Sequence, residues 1–302
     1  MFLVSSPALV IAQCKAGIVG AFPALGARTS QMLDEWLHSI TEELARYNRQ
    51  VGDRQAAPFA VNLVIHKTNA RLASDLALCA KYQVPIVITS LGARPEVFQA
   101  IRAFHAMILH DVTTDSFARK AHERGVDGLI AVAAGAGGHA GSLSPFALVR
   151  EIRAWYDGLL VLSGAIAHGA SILAAQAVGA DLAYIGSAFI AALESNASDR
   201  YKEMVLRSAA DDILYTDFFT GVRGNYLKPS IVASGLDPDN LSSSKPSLMN
   251  FASERPQAWR DVWGCGQGIG IIKESQSAAQ VVDRLESEYR AALSHLRGRV
   301  CA

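Results

Sequence analysis

Residues 131–142 read Ala-Val-Ala-Ala-Gly-Ala-Gly-Gly-His-Ala-Gly-Ser, and the rest of the chain is organised around this stretch. An apolar run, Leu129–Ala134, leads into four glycines within seven residues, with His139 among them. Glycine has no Cβ and adopts positive φ at little cost, so the backbone of such a loop can approach a ligand closely. An imidazole exchanges protons near neutral pH. The stretch therefore predicts a buried strand that ends in an active-site loop, with His139 as the candidate catalytic residue.

Short apolar runs alternate with helical segments through the first two thirds of the chain. Continuous apolar runs are typical of strands that are buried on both faces of a parallel sheet. Eight β/α units in succession favour an α/β fold of the (β/α)₈ TIM-barrel type, with a doubly wound parallel sheet as the alternative. The eight predicted strands are Phe2–Val4, Ile18–Phe22, Phe59–Ile65, Pro85–Ser90, Met107–Leu109, Gly128–Ala134, Leu159–Leu162 and Leu182–Ile185.

The alternation ends near Ser195, where a different pattern begins. We therefore predict two domains, a barrel over residues 1–194 and a mostly helical lid over residues 195–302 that packs on one barrel face. The predicted elements of the lid are helices at Asp199–Arg207, near Tyr226–Ala233 and at Ala278–Leu296, with a loop-rich stretch at Asp211–Gly224.

Length and composition limit the classes of function. The chain has 302 residues, of which 50% are hydrophobic and 19% charged, and its formal net charge is zero. A barrel of ~250 residues with an appendage fits this length. Balanced charge without basic clusters argues against a nucleic-acid partner. The sequence has no uninterrupted apolar run of ~20 residues, so we expect no membrane span. The four cysteines, Cys14, Cys79, Cys265 and Cys301, are scattered, which favours a reducing cytoplasm over disulfides or structural zinc.

Small residues follow the last two predicted strands of the barrel. Ser163-Gly164 follows one of them and Gly186-Ser187 the other. Free backbone N–H groups at this place, completed by a helix N-terminus, commonly bind phosphate in barrels. The two pairs predict a phosphate site, with FMN as the leading ligand ahead of a phosphorylated sugar. Short Gly-Ser turns also occur in barrels without a phosphate, so the structural interpretation stays open.

Other polar residues near strand ends are candidates with a structural alternative. Asn62 lies in a predicted strand and is also compatible with a bond to neighbouring backbone; His110 follows a strand and is also compatible with a polar rim position. Asp111 is interpreted as the cap of the following turn. No His, Asp or Glu cluster has metal-ligand spacing, so we predict no metal. His139 differs from these residues because it sits between glycines, with no apolar helix face to bury it.

Four motifs together resemble the nitronate monooxygenase family, also called 2-nitropropane dioxygenases. The resemblance covers nearly the whole chain and implies an FMN-containing (β/α)₈ barrel with a helical lid, which oxidises alkyl nitronates with O₂ to carbonyl compounds and nitrite. Flavin-dependent enoyl-ACP reductases share the barrel and the Gly-Gly-His loop, so an NAD(P)H-dependent flavin reductase of enoyl-ACP or quinone type is the alternative. A truncated scaffold protein without catalytic activity is the third possibility. The motifs are Gly137–Gly141, Leu162–Ala167, Gly179–Phe189 and Trp263–Gly270.

The resemblance also implies roles for single residues. His139 matches the family's active-site histidine, which holds the nitronate charge beside the flavin and in some members takes the α-proton of a neutral nitroalkane. His110 stands where better-known members place a lysine that contacts FMN, and Ala165 where many have a second glycine. The matched cofactor positions are Met1, Asn62, Gly138 and Gln267 near the flavin ring or its lid, and Ser163, Gly164, Gly186 and Ser187 at the phosphate.

The N-terminus departs from the family pattern. Members carry a whole first strand before an Ala-Pro-Met turn at the flavin, and Met1 stands at that methionine. The first barrel strand is therefore expected to be truncated, which leaves unpaired N–H and C=O groups at a sheet edge. We expect this form of the protein to retain flavin poorly or to have low stability. The expected small-molecule partners are an alkyl nitronate and O₂, and no membrane partner is expected. We further expect a cytoplasmic protein, and the sequence is compatible with a homodimer.

Overall fold

The computed structural model describes residues 1–52, 54–241 and 258–300. A curled parallel sheet forms the centre of the fold, and its seven strands pair in the order β1-β2-β3-β4-β5-β7-β8. These strands are Gly20–Pro23 (β1), Phe59–Val64 (β2), Ile86–Ser90 (β3), Met107–Val112 (β4), Gly128–Val132 (β5), Leu159–Ser163 (β7) and Leu182–Ala183 (β8). Helices alternate with them: Pro7–Lys15 (α1), Ser30–Val51 (α2), Leu72–Lys81 (α3), Pro95–Arg102 (α4), Asp115–Glu123 (α5), Pro145–Arg153 (α6) and Gly169–Ala177 (α7).

Two apolar layers follow from the alternation of side chains along the strands. The inner layer fills the barrel and consists of Ala60, Ile88, Leu109, Ile130 and Val161. The intervening residues of the same strands pack outward against the helices in a larger cluster. This arrangement confirms the predicted TIM-barrel type of fold.

The predicted strand Phe2–Val4 is wrong. These residues form a turn in which the N–H groups of Val4 and Ser5 donate to the Met1 carbonyl, and Leu3 has φ of 61°. Three apolar residues are too few for periodicity to separate a strand from a buried turn. In the described part of the chain no strand joins β8 to β1. The sheet formed by the described residues therefore has seven strands rather than the eight predicted.

Local signals set several helix boundaries. Pro7 is the first residue of α1, as its fixed φ favours. The Thr29 hydroxyl caps α2 and accepts a hydrogen bond from the Met32 N–H at 3.1 Å. The apolar face predicted for α2 is buried at Leu33, Leu37, Ile40 and Leu44.

The C-terminal part contains more strand than predicted. Ile213–Thr216 (β9) and Gly224–Leu227 (β10) form an antiparallel sheet with Gly138–His139 (β6), in the order β6-β10-β9. The loop predicted at Asp211–Gly224 thus contains a strand, and the helix predicted near Tyr226 begins later, at Lys228. Tyr226 is fully buried and belongs to β10. The helices of this part are Asp199–Arg207 (α8), Lys228–Ala233 (α9) and Ala278–Val300 (α10).

Helix α10 returns to the barrel and packs against α7 and α1. A second apolar cluster therefore combines residues from both sides of the proposed domain boundary at residue 194. That boundary stays a prediction. Cys14, Cys79 and Cys265 are buried free thiols, while Cys301 lies outside the described residues. Among the described helices, none is both long and apolar enough to cross a lipid bilayer.

Candidate active site

A cavity of ≈ 1950 Å³ is bordered by residues at the carboxyl ends of the barrel strands, such as Asn62, Ser90 and Ser163. It extends down to residues at the amino ends, such as Ile86 and Leu182, and past the gap between β8 and β1. Within the described ranges, no group of three His, Cys, Asp or Glu side chains could hold a metal ion. The sequence-predicted residues that border the cavity are Met1, Asn62, His110, Gly138, His139, Ser163, Gly164, Gly186 and Ser187.

His139 lies in β6, outside the barrel sheet and beside the lid. It pairs with Gly224 of β10, so the small antiparallel sheet fixes its backbone. Its Nε2 lies 3.0 Å from the Thr220 hydroxyl oxygen. The Trp259 ring meets the imidazole edge to face, with ring centroids 5.7 Å apart. The side chain is thus held from two sides by residues distant in sequence.

Burial lowers the pKa of His139 below its ordinary value of 6.5. The cause is loss of solvation, which disfavours the charged imidazolium. His139 is therefore neutral at neutral pH. A neutral imidazole offers one N–H donor and one nitrogen that accepts a proton, which is what a general base requires.

Three inward-facing polar side chains form a hydrogen-bond chain at the carboxyl ends of β2, β3 and β4. The Asn62 amide donates to the Ser90 hydroxyl at 2.7 Å, and that hydroxyl donates to Asp111 Oδ2 at 2.5 Å. The other carboxylate oxygen, Asp111 Oδ1, is buried without a hydrogen-bond partner. Sequence analysis assigned Asp111 to a turn cap because the predicted strand ended at Leu109. Continuing the alternation of Met107 and Leu109 by two residues would have placed Asp111 inward.

Replacing Asp111 with asparagine is expected to stabilise the protein at pH 7.5 by about 3 kcal/mol. Burial raises the pKa of Asp111 from 3.8 to about 6, and the Ser90 hydrogen bond and the Met1 amino group only partly oppose it. The folded state therefore holds the proton more tightly than the unfolded state, so Asp111 costs stability as pH rises from about 4 to 6. Urea unfolding at pH 4 and pH 7.5 checks this: Asp111→Asn should raise the free energy of unfolding only at the higher pH. The matched variant Asp157→Asn, at an exposed position, should leave the free energy of unfolding unchanged at both pH values. An equal increase for Asp111→Asn at pH 4 and pH 7.5 would refute the argument.

The His110 ring does not share the inward position of its neighbour Asp111. Its Nδ1 lies 2.7 Å from the Thr89 hydroxyl, and its ring meets Phe98 of α4 edge to face at 6.0 Å. The residue borders the cavity, but the imidazole lies on the helix-facing side of β4. Burial lowers its pKa to about 4, so it stays neutral. These contacts fit a structural residue; contact of His110 with a cofactor stays a prediction.

The loops after β7 and β8 offer unpaired backbone donors. The N–H groups of Gly164 and Gly186 have no hydrogen-bond partner among the described residues. Gly164 has φ of 148°, and a Cβ there would lie 2.8 Å from the Ala134 carbonyl oxygen, so only glycine fits. A Cβ on Gly186 would approach only Met1, at 3.6 Å, which leaves this donor open to the cavity. The pair has the chemistry of a phosphate cradle.

Ala165 replaces the second glycine that many family members carry. It adopts φ of 54°, a left-handed conformation that is strained for a residue with a Cβ. Glycine would adopt this conformation without that strain. The Ala165 N–H donates to the Gly135 carbonyl at 3.2 Å, which ties the loop after β7 to the loop after β5.

The motif at 263–270 closes over the glycine-rich loop. The Gln267 N–H donates to the Gly135 carbonyl at 2.9 Å, and the Gly266 N–H donates to the Ser187 hydroxyl at 2.8 Å. A Cβ on Gly137 would lie 2.8 Å from the Gly266 nitrogen, which explains why the loop needs glycine there. Gln267 does not border the cavity, although its neighbours Gly266 and Gly268 do, so its contact with a cofactor stays a prediction. The Ser187 hydroxyl accepts a hydrogen bond from this motif.

Charged residues at the cavity are mostly cationic although the chain is neutral overall. Seven arginines or lysines border it, against two carboxylates, Asp111 and Glu286. Several of these cations are paired, as Arg71 is with Asp75 at 2.9 Å. The balance favours an anionic ligand. The bordering cations are Arg28, Arg54, Arg71, Lys120, Arg124, Arg223 and Arg260.

Comparison with known proteins identifies the family. The model of the nitronate monooxygenase family matches residues 1–288. Nitronate monooxygenase of Paraburkholderia phytofirmans is 26% identical, over 97% of this chain and 92% of its own length. Among solved structures, a nitroalkane oxidase from Streptomyces ansochromogenes has a TM-score of 0.80 at 23% identity, covering 97% of this chain and 94% of that one. FabK from Thermotoga maritima has a TM-score of 0.77 at 22% identity, covering 99% and 93%. The structures share the fold, and the match over residues 1–288 shows that this chain belongs to the nitronate monooxygenase family.

Proposed function

We propose that the protein binds FMN and oxidises alkyl nitronates with O₂ to carbonyl compounds and nitrite. The observation that carries this proposal is a half-buried, neutral His139 at a cavity whose β7 and β8 loops present unpaired N–H groups. The family match and the nitronate monooxygenase relative support the reaction class.

The residues at the cavity fit a flavin mononucleotide. The free N–H groups of Gly164 and Gly186 would bind its phosphate, helped by the Ser187 hydroxyl. At the other side, Asn62 and the unpartnered Asp111 Oδ1 supply polar contacts for a heterocycle. A volume of ≈ 1950 Å³ leaves room for a cofactor together with a substrate. Bound FMN would supply the redox chemistry, accepting electrons from the substrate and passing them to O₂.

The chain itself would bind and orient the substrate. An anionic nitronate is attracted by the cationic residues at the cavity, which His139 also borders. With a neutral nitroalkane, His139 would first accept the α-proton and so form the nitronate. The edge-on Trp259 ring covers one side of the imidazole and keeps water from it.

An anaerobic mixing experiment tests the proposal against the flavin reductase alternative. The full chain is reconstituted with excess FMN, because weak retention is expected, and is mixed with propionate 3-nitronate or with NADH or NADPH. Loss of flavin absorbance near about 450 nm with the nitronate, and nitrite release in air, support the proposal. Fast bleaching by a nicotinamide alone would favour the reductase. A protein that binds no FMN even in excess would favour the scaffold.

A further inference from the structure

We propose that Thr220 is a positioning residue that fixes His139 as the Nε2–H tautomer, which leaves Nδ1 as the proton acceptor. The kinetic consequence of this inference rests on the proposed function. The tautomer of His139 itself is a property of the protein and does not depend on that function. The inference assigns a role to a lid residue 81 positions away from the histidine.

The direction of the hydrogen bond follows from the partners of the Thr220 hydroxyl. Its oxygen lies 3.0 Å from the Val222 carbonyl oxygen, which can only accept, so the single hydroxyl proton is committed there. It lies 3.0 Å from His139 Nε2 and 3.3 Å from the Val222 N–H. With its proton used, the hydroxyl can only accept from the imidazole. Nε2 must therefore carry the hydrogen, because the reverse arrangement leaves the Val222 carbonyl without this donor.

The other ring nitrogen is free to act. Among the described residues, Nδ1 of His139 has no hydrogen-bond partner, and it is not one of the fully buried unpartnered atoms. Since His139 borders the cavity, a ligand there can reach this nitrogen. In the neutral Nε2–H tautomer, Nδ1 holds the lone pair that accepts a proton.

The surroundings of Thr220 hold it in place without an opposing charge. It lies in the connection between β9 and β10, where the Gly221 N–H donates to the Asp217 carbonyl at 2.8 Å. Tyr226 lies behind it, and burial raises the pKa of that phenol to about 12, which the Thr220 hydroxyl partly opposes. The Tyr226 hydroxyl has no other partner among the described residues, so a Tyr226→Phe variant tests whether it competes for Thr220.

The chemical consequence is a balanced proton transfer. The α-C–H bond of a neutral nitroalkane breaks, its electron pair stays with the substrate to form the nitronate, and the proton forms a new N–H bond at Nδ1. The resulting imidazolium donates from Nε2 to Thr220 more strongly than the neutral ring does. A substrate that enters as the nitronate needs no such transfer. Loss of Thr220 should therefore affect the two substrate forms unequally.

Nuclear magnetic resonance of the full chain with ¹⁵N-labelled histidine tests the tautomer without turnover. The His139 signals are assigned by their absence in His139→Gln. We expect the Nε2–H pattern at neutral pH in the wild type and in Thr220→Ser. Thr220→Val, which keeps shape but loses the hydroxyl, should shift to a mixture with Nδ1–H, while Tyr226→Phe should not. An Nδ1–H pattern in the wild type would overturn the proposal.

Kinetics supply the second measurement. Thr220→Val should lower kcat for a neutral nitroalkane by ~10-fold or more, and kcat for the preformed nitronate by less than about threefold. Thr220→Ser keeps the hydroxyl and should therefore keep the wild-type kcat. Thr216→Val is the matched control in the same lid sheet. Equal losses for both substrates would contradict a positioning role. If the wild type shows Nε2–H but releases no nitrite, the proposed function fails while the tautomer assignment stands; if Thr220→Val does not fold, the wild-type spectrum and Thr220→Ser still decide.

Discussion

Replacing His139 with alanine is expected to reduce nitrite release from a neutral nitroalkane by about 10²–10⁴-fold, the usual contribution of a positioned general base. Thr220 and Trp259 hold the imidazole at the cavity, whereas Thr89 and Phe98 hold the His110 ring on the helix-facing side of β4. With a preformed nitronate the loss should be smaller, less than about 10-fold, because that substrate needs no proton transfer. FMN content should be unchanged, since His139 is not part of the proposed phosphate cradle.

The assay compares initial rates of nitrite release for the two substrate forms, at equal flavin loading. Exposed His295 on α10 supplies the control, and His295→Ala should behave as the wild type. Burial lowers the pKa of His139, so the neutral base persists to more acidic pH than an ordinary histidine. The rate with a neutral nitroalkane should therefore fall only below pH 6.5. Full turnover in His139→Ala would remove His139 from the mechanism.

Local sequence signals were sufficient to predict the barrel and the main catalytic candidate. Strand β5 and its glycine-rich loop are local features, and so are the small residues after β7 and β8. The cap at Thr29 and the buried face of α2 also depend only on neighbours in sequence. These features could be predicted because each is decided within a few residues.

Contacts between distant segments could not be predicted in this way. Thr220 and Trp259 reach His139 only because β10 pairs with β6, and neither residue belongs to a recognisable local pattern. The contact of His110 with Phe98 joins β4 to α4 and was likewise not predictable, while contact of His110 with a cofactor stays a prediction. Asp111 was detectable in principle, since strand alternation already placed Leu109 inward. The error came from the strand boundary, which depends on pairing with β5.

Replacing Gly169 with alanine is expected to destabilise the protein by about 3 kcal/mol, at the upper end of the usual cost of overpacking. Gly169 is the first residue of α7, and its N–H donates to Glu288 of α10 at 2.9 Å. A Cβ at this position would overlap the Tyr289 nitrogen and the Leu285 carbonyl oxygen of α10. Both atoms are backbone, so no side-chain rotation relieves the overlap, and α10 must move away.

The displacement would expose apolar surface that joins the lid to the barrel. Ala278, Val281 and Leu285 of α10 are buried in the second apolar cluster, and Glu288 also pairs with Arg284 at 2.8 Å. Urea unfolding followed by circular dichroism measures the cost. Gly298 offers a control on the same helix, because a Cβ there meets nothing within 4 Å. Gly298→Ala should be neutral or stabilising by up to about 1 kcal/mol, since alanine favours helix. If Gly169→Ala unfolds at the same urea concentration as the wild type, α10 cannot be held against α7 by this close backbone approach.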